Sequence, residues 1–238
     1  MSDSEKFKPI EICACCGADT FVTHPVLWKG LIDEWGLSPI EINYINRQQG
    51  VTCKKCGNNL RSIALAKAIL SAWKSKGNFK SFVRSPRTWL LQILEINPAG
   101  SLTEYFSKMP RRTLAVYPEV DMQRMPYASD RFDLVVHSDT LEHVPNPVLA
   151  LSECQRVLKP GGFCCFTIPI ILGRLTRTRS GLPPSYHGEQ SNSNSDFLVQ
   201  TEYGSDFWTQ LFEAGFAECR IVSAEFPSAQ AIVAQKPC

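Results

Sequence analysis

The sequence predicts an α/β domain on a parallel sheet with helices on both faces, and a small cysteine-bearing module ahead of it. Three observations predict this. Residues 132–136 and 163–168 are short apolar runs, the pattern of strands buried on both faces of a sheet. Between them lies a capped amphipathic segment that ends in Gly161 and Gly162, giving the strand–helix–strand alternation of a parallel sheet. Near the front, Cys13-Ala-Cys-Cys16-Gly17 and Cys53-Lys-Lys-Cys56-Gly57 form two C-x2-C-G units.

The 238 residues suffice for one ordinary domain plus a small module. A hydrophobic fraction of 44% is ample for a core, and no apolar run is long enough to span a bilayer, so no membrane partner is expected. The opening MSDSEKFKPIEI is polar and has no signal-peptide pattern. Ten cysteines without such a leader point to a reducing cytoplasm, with thiols used for metal or packing rather than disulfides. The formal charge of +2 neither favours nor excludes nucleic acid.

In chain order, each C-x2-C-G unit places two thiolates at the tip of a tight turn. Cys13, Cys16, Cys53 and Cys56 together satisfy the tetrahedral demand of structural zinc. Cys15 could replace Cys13 or Cys16. Cys154, Cys164, Cys165 and Cys219 sit in apolar surroundings and read as core, and Cys238 is terminal. Residues 18–52, with Phe21, Trp28, Trp35, Tyr44 and Arg47, pack a module too small to hold together without metal, or offer surface to a partner. The expected division is a zinc-ribbon-like module over 1–60, a connecting helix and linker over 61–88, and the α/β domain over 89–238. Residues 59–76 read as an amphipathic helix with Gly77 as its C-cap.

Residues 89–96 read as the first buried strand and 114–117 as the second. After the strand 132–136, Asn146 is a good N-cap and Pro147 suits the first helical position. Leu151, Cys154 and Leu158 then share a face. Gly161 and Gly162 supply the positive φ that turns the chain into strand 163–168. The polar stretch 173–200 is long enough to be a lid, a binding loop or a solvated flexible loop and follows that strand. Its Arg174, Arg177 and Arg179 suit an acceptor bearing phosphate or carboxylate, and Tyr186 and His187 lie beyond them. Residues 205–214 read as a helix with Phe207, Trp208, Leu211 and Phe212 inward. Residues 221–226 and 231–234 read as the final strands.

One stretch carries a resemblance. Asp121, the turn Met125-Pro126-Tyr127, the run 132–136 closed by His137, Ser138 and Asp139, the segment Leu141-Glu142-His143-Val144, a helix and Leu158-Lys-Pro-Gly-Gly162 follow in order. This resembles the class I S-adenosylmethionine-dependent methyltransferases, specifically the type 11 methyltransferase group. Tyr203-Gly204, Asp206-Phe207 and Ala214-Gly215-Phe216 extend the likeness over residues 89–234. It implies a Rossmann-like class I methyltransferase sheet and S-adenosyl-L-methionine as cofactor.

The family opens its cofactor site with an acid and three spaced glycines after the first strand. Here the string is Glu95-Ile-Asn97-Pro-Ala99-Gly100-Ser101: the acid is kept, and Asn97, Ala99 and Ser101 stand at the glycine positions. Asn tolerates positive φ, so a variant binding turn is feasible. Glu119 is the carboxylate behind the second strand where the family holds the ribose. Only Val120 separates it from Asp121, so the intervening helix is expected to be missing. By resemblance, Asp121 accepts from the adenine amino group, Met122 covers the ring, and His137 and Ser138 line the cofactor. Plainer readings stand beside these: Asp121 as a turn cap, His137 as a core-edge histidine.

Methyl transfer is an in-line displacement that alignment can drive, and a base is needed only if the acceptor must lose a proton. Candidates are His143, Glu142, Asp139 and His187, none of them singled out; Glu142 and His143 match a family pair read as positioning residues. The expected function is S-adenosylmethionine-dependent methylation of a small molecule or glycan. One alternative is a non-catalytic binding protein on this fold, favoured by the eroded glycines. The other is a ribosomal RNA methyltransferase with an amino-terminal zinc module, although the balanced charge lacks a basic footprint. No G-x-G-x-x-G follows the first strand, which disfavours a nicotinamide dehydrogenase.

Overall fold

The computed structural model describes residues 9–186 and 197–238; His187 and the middle of the polar stretch lie outside them. Contacts divide the chain into two compact units. Unit 1 is assembled from Met1–Leu91, Ala99–Arg112 and Arg220–Val233, and unit 2 from Gln92–Pro98, Thr113–Cys219 and Ala234–Cys238.

In unit 1, β1 (Phe21–Thr23) pairs antiparallel with β2 (Val51–Cys53), which draws the two C-x2-C turns together. Between the strands lie α1 (Lys29–Trp35) and α2 (Pro39–Gly50). A capping box starts α2: the Glu41 N–H donates to Ser38 Oγ at 3.4 Å and the Ser38 N–H to Glu41 Oε2 at 2.7 Å. Helix α3 (Leu60–Ala72) begins at Asn59, whose side chain accepts from the Ser62 N–H at 3.0 Å. The helix is buried along most of its length.

The sequence places the end of α3 at Gly77, but the helix stops at Ala72. Lys74 takes a φ of 48°. The Ser75 N–H then reaches the Leu70 carbonyl at 2.8 Å and the Lys74 N–H the Ser71 carbonyl at 3.1 Å. This is a Schellman closure with lysine where glycine is usual. Helix α4 (Phe79–Val83) follows, and Phe79 packs edge-on against Phe106 of α5 (Thr103–Phe106) with ring centroids 5.4 Å apart. Arg47 forks onto the buried Glu225 carboxylate, with its Nη2 3.0 Å from Oε2, and the Ile10 N–H joins that oxygen at 3.0 Å.

Unit 2 centres on β5 (Phe132–Ser138), parallel to β3 (Ile93–Ile96) on one side and β6 (Leu158–Thr167) on the other. Its strands run in the order β4 (Arg112–Ala115), β3, β5 and β6, and the last strands of the chain are β9 (Glu218–Glu225) and β10 (Ala229–Gln235). The fold is therefore mixed α/β on a central sheet, as the apolar runs predict. The first strand is shorter than expected: residues 88–90 form a 3-10 turn, with Trp89 and Leu90 exposed.

Strand β6 begins at Leu158 rather than Phe163, because the Lys-Pro-Gly-Gly piece bulges out of register with β5 instead of lying outside the sheet. Lys159 anchors the bulge on Asp133 at 2.8 and 2.9 Å. Gly161 has a φ of +73°, but Gly162 serves close approach instead: a Cβ there would lie 2.9 Å from the Lys159 carbonyl oxygen. Helix α6 (Pro147–Val157) is capped as predicted, the Asn146 side chain accepting from the Leu149 N–H at 3.0 Å.

Between β4 and Asp121 there is no helix; the Val120 N–H closes a turn on the Val116 carbonyl at 2.9 Å. The polar stretch returns as a ribbon in which β7 (Arg177–Thr178) pairs antiparallel with β8 (Thr201–Glu202). Helix α7 (Thr209–Glu213) is shorter than expected and shows one apolar face, not two. Phe207 and Leu211 are buried, whereas Trp208 and Phe212 are exposed, ring against ring at 6.1 Å. Among the described residues no helix is long and apolar enough to cross a membrane.

Candidate active site

Strand β3 runs out into Asn97 and Pro98, and β5 into Ser138 and Asp139. Beside these carboxyl ends, within unit 2, is a cavity of ≈ 490 Å³. Small-molecule sites occupy about 300–1,000 Å³, and open parallel sheets bind ligands at this end of their strands.

The walls are held by short polar links. Asn97 adopts a φ of 52°; its N–H bonds to the Ala115 carbonyl at 2.7 Å and its Oδ1 accepts from the Tyr117 N–H at 3.0 Å. The glycine-like turn is thus made by an asparagine whose side chain pins the end of β3 to the end of β4. At the end of β5, Ser138 Oγ lies 2.8 Å from Thr167 Oγ1, which donates to Asp139 Oδ1 at 3.1 Å. Because Thr167 has a single hydroxyl hydrogen, Ser138 is the donor in the first link.

Asp121 and Met122 both line the cavity. Asp121 Oδ1 accepts from the Gln123 N–H at 2.8 Å, so the turn-cap reading holds too. A carboxylate has room for about four hydrogen bonds, and capping does not exhaust it. The neighbouring Met-Pro-Tyr turn is held from α6: Glu153 Oε2 accepts from the Met125 N–H at 2.8 Å. Arg156 donates to the Tyr127 carbonyl at 2.8 Å and the Met125 carbonyl at 3.1 Å. The Arg156 hydrogen bond also keeps the Glu153 carboxyl below its usual range.

Of the remaining sequence candidates, His143 and Asp139 line the cavity, whereas Glu95, Gly100, Glu119, His137 and Glu142 do not. Glu95 is buried within β3, in register with Val136. Glu119 is exposed. Gly100 belongs to unit 1, where a Cβ would meet Ser62 Oγ at 3.2 Å. Its neighbour Ser101 donates to Asn58 Oδ1 at 2.7 Å. His137 is buried and stacks on Phe166 at 4.6 Å; side chains alternate along a strand, so Ser138 lines the cavity and His137 does not. Glu142 is buried, with Oε1 3.7 Å from His143 Nε2.

Phe197 and Gln200, which sequence reasoning did not single out, close the cavity from the end of the polar stretch. The Gln200 N–H reaches the Glu142 carbonyl at 2.7 Å and His143 Nδ1 lies 3.0 Å from the Leu198 carbonyl oxygen. The arginines expected to meet an anionic acceptor are used otherwise: Arg177 and Arg179 both pair with Glu202, and neither lines the cavity.

A second cluster lies in unit 1. The sulfurs of Cys13, Cys16, Cys53 and Cys56 all lie within 4.8 Å of one another, and the pairs Cys13–Cys56 and Cys16–Cys53 are each 3.7 Å apart. A tetrahedron of sulfurs about 2.3 Å from a central zinc has edges of about 3.8 Å, so the donor set fits such an ion. Cys15 turns away, its sulfur 3.9 Å from the Ser62 carbonyl oxygen. Asn58 Nδ2 donates to Cys56 Sγ at 3.1 Å, the supporting contact that metal ligands take from their surroundings. Burial pushes the Cys16 thiol up to about 12 and raises that of Cys53, a cost to thiolates that a bound cation reverses.

Residues 81–166 match the family model described as a methyltransferase domain, and every wall residue named above except Phe197 and Gln200 falls inside that stretch. That match covers less than half of the chain. The chain is similar to the 2-methyl-6-phytyl-1,4-hydroquinone methyltransferase 1 of Oryza sativa subsp. japonica, 38% identical over 52 residues, 22% of this chain and 16% of that protein. The ubiquinone biosynthesis O-methyltransferase of Histophilus somni is 28% identical over 139 residues, 55% of this chain and 52% of that protein. The chain therefore spans about half, or less, of these curated relatives. Among solved structures, a SAM-dependent methyltransferase from Methanosarcina mazei superposes with a TM-score of 0.40 at 13% identity, over 64% of this chain and 98% of that one.

Proposed function

We propose that this protein transfers a methyl group from S-adenosylmethionine to a small-molecule acceptor, and that its four clustered cysteines hold structural zinc. The observation that supports the activity is the pairing of Asp121 and Met122 with Asn97 around one cavity, inside the family-matched stretch. The cofactor suits these walls. Asp121 and Asp139 are the carboxylates of the lining, and no lysine or arginine lines the cavity among the described residues. Such walls favour a ligand bearing a sulfonium and an ammonium. Val120 and Met122 offer apolar surface for a purine.

The cofactor supplies an activated methyl carbon; the chain supplies binding and alignment. Asp121 accepts from the adenine amino group and Met122 covers the ring, the roles the resemblance carries to these positions. The relatives named above, a hydroquinone methyltransferase and a ubiquinone-biosynthesis O-methyltransferase, support a small molecule as acceptor over RNA.

Calorimetry with S-adenosylhomocysteine tests the reading. A hydrogen bond to a charged group contributes about 1.5–3 kcal/mol. Asp121→Ala should therefore weaken binding roughly ten- to a hundredfold, and Asp121→Asn, which keeps the turn cap, should fall between. Absence of heat from folded wild-type protein at millimolar ligand would replace this reading with a non-catalytic binding protein. The departure that favours that second reading is Ser101, which stands at a glycine position and hydrogen-bonds Asn58 within unit 1.

A further inference from the structure

Asn58 is fully buried and engaged at both ends of its side chain. Its Nδ2 donates to Cys56 Sγ at 3.1 Å and to the Cys56 carbonyl at 3.3 Å, while its Oδ1 accepts from Ser101 Oγ at 2.7 Å. A carbonyl only accepts, as does a thiolate. The amide therefore cannot be turned round: its nitrogen has to face Cys56 and its oxygen Ser101. The main chain is used at the same place, the Cys53 N–H reaching the Asn58 carbonyl at 2.9 Å. One residue thus holds the second C-x2-C turn by backbone and side chain together.

Four thiolates around a zinc dication leave negative charge in surplus, and a hydrogen bond onto such a sulfur is charge-assisted. A buried amide fixed on Cys56 meets that charge. What fixes the amide is Ser101, which is exposed and sits in the 3-10 turn Gly100–Leu102. The turn lies close on α3: Ser101 Oγ is 3.3 Å from Ser62 Oγ, and a Cβ on Gly100 would meet the same hydroxyl at 3.2 Å. The first C-x2-C turn reaches the residues that follow by another route. Its Ala14 and Cys15 carbonyls accept from the Phe79 and Lys80 N–H groups at 2.8 and 3.0 Å. The Phe79 ring then packs 5.7 Å from that of Tyr105 and 5.4 Å from that of Phe106. All of these residues belong to unit 1.

By resemblance, Ala99 and Ser101 stand where glycines bring the backbone up to the cofactor. Asn97 and Pro98 do line the cavity, whereas Gly100 and Ser101 do not. We propose that the 100–106 stretch serves the metal rather than the cofactor: Ser101 positions Asn58, and Asn58 steadies Cys56 as a zinc ligand. This rests on the zinc reading above. The serine at a glycine position is then a support gained by the metal cluster, and it no longer counts against cofactor binding.

Competition for zinc between the full chain and a chromogenic chelator tests this without turnover. Asn58→Ala should lower zinc affinity about 10–100-fold and Ser101→Ala roughly threefold, while Ser101→Thr, which keeps the hydroxyl, should restore it. Wild-type affinity in both alanine variants would overturn the proposal. A loosened turn would by itself cost affinity, so cobalt-loaded protein supplies a second readout. Without the N–H on sulfur, the sulfur-to-cobalt charge-transfer band of Asn58→Ala should move to longer wavelength; a band that stays in place would overturn the role of Asn58. Zinc-loaded Ser101→Ala should bind S-adenosylhomocysteine as the wild type does, and a loss on the order of tenfold in Kd would return residue 101 to the cofactor. Wild-type protein that holds no zinc is the separate failure of the zinc reading.

Discussion

His137 and Ser138 show how far single residues could be read. Both close the same apolar run, and resemblance offers both to the cofactor, yet strand alternation brings only Ser138 to the cavity. His137 is fully buried on Phe166, and neither ring nitrogen has a hydrogen-bond partner among the described residues. Burial holds its pKa down to about 3, against about 6.5 in an unfolded chain. The unfolded state therefore binds a proton that the native state refuses. The protein should lose stability as pH falls from about 6.5 toward 3, on the order of 1–2 kcal/mol by pH 5. Urea midpoints at pH 7 and pH 5 measure this, and His137→Phe should flatten the difference; an unchanged slope would remove His137 as its source. Asp121 and Met122 line the cavity, and their order before the Met-Pro-Tyr turn is what the resemblance rests on. That Tyr117 and Gln123 also line the cavity was not legible, since it follows from how the chain turns after β4.

Elements were legible where their signals are local. Asn146, Pro147 and the apolar spacing fixed α6 within a residue of its observed start, and the short acidic interval before Asp121 correctly announced a missing helix. The polar stretch was misread in part because its partner lies beyond it. Composition shows three arginines but not that Glu202 will pair with two of them across an antiparallel ribbon. Helix α7 was misread because every large apolar residue was taken as inward, whereas Phe207 and Leu211 alone share the buried face. The ribbon yields its own prediction. Arg179 is nearly buried beside Glu202, while Arg177 is more than half exposed and adds less. Glu202→Gln should loosen β7 from β8, and limited trypsin digestion should then cut between residues 174 and 179 several-fold faster than in wild type. Unchanged cleavage would show that the backbone pairing suffices without the charges.

At the scale of the whole molecule, the cysteine spacing made the cluster of four sulfurs legible, while the way unit 1 is assembled was not legible at all. Metal analysis should give about one equivalent of zinc, lost in Cys53→Ser/Cys56→Ser, and chelation should loosen the β1–β2 pairing first, because the C-x2-C turns lie beside those two short strands. Well-folded wild-type protein without metal would refute the assignment. Unit 1 draws on three separated stretches of chain, with Phe79 on Phe106 and Arg47 on Glu225 joining them. This bears on heredity. A crossover that spliced a foreign front piece onto residue 89 would strand Glu225 as a buried carboxylate without its cation, a defect of about 3–5 kcal/mol. The stretch up to Leu91 is therefore not a cassette: it and Arg220–Val233 have to be inherited as a set.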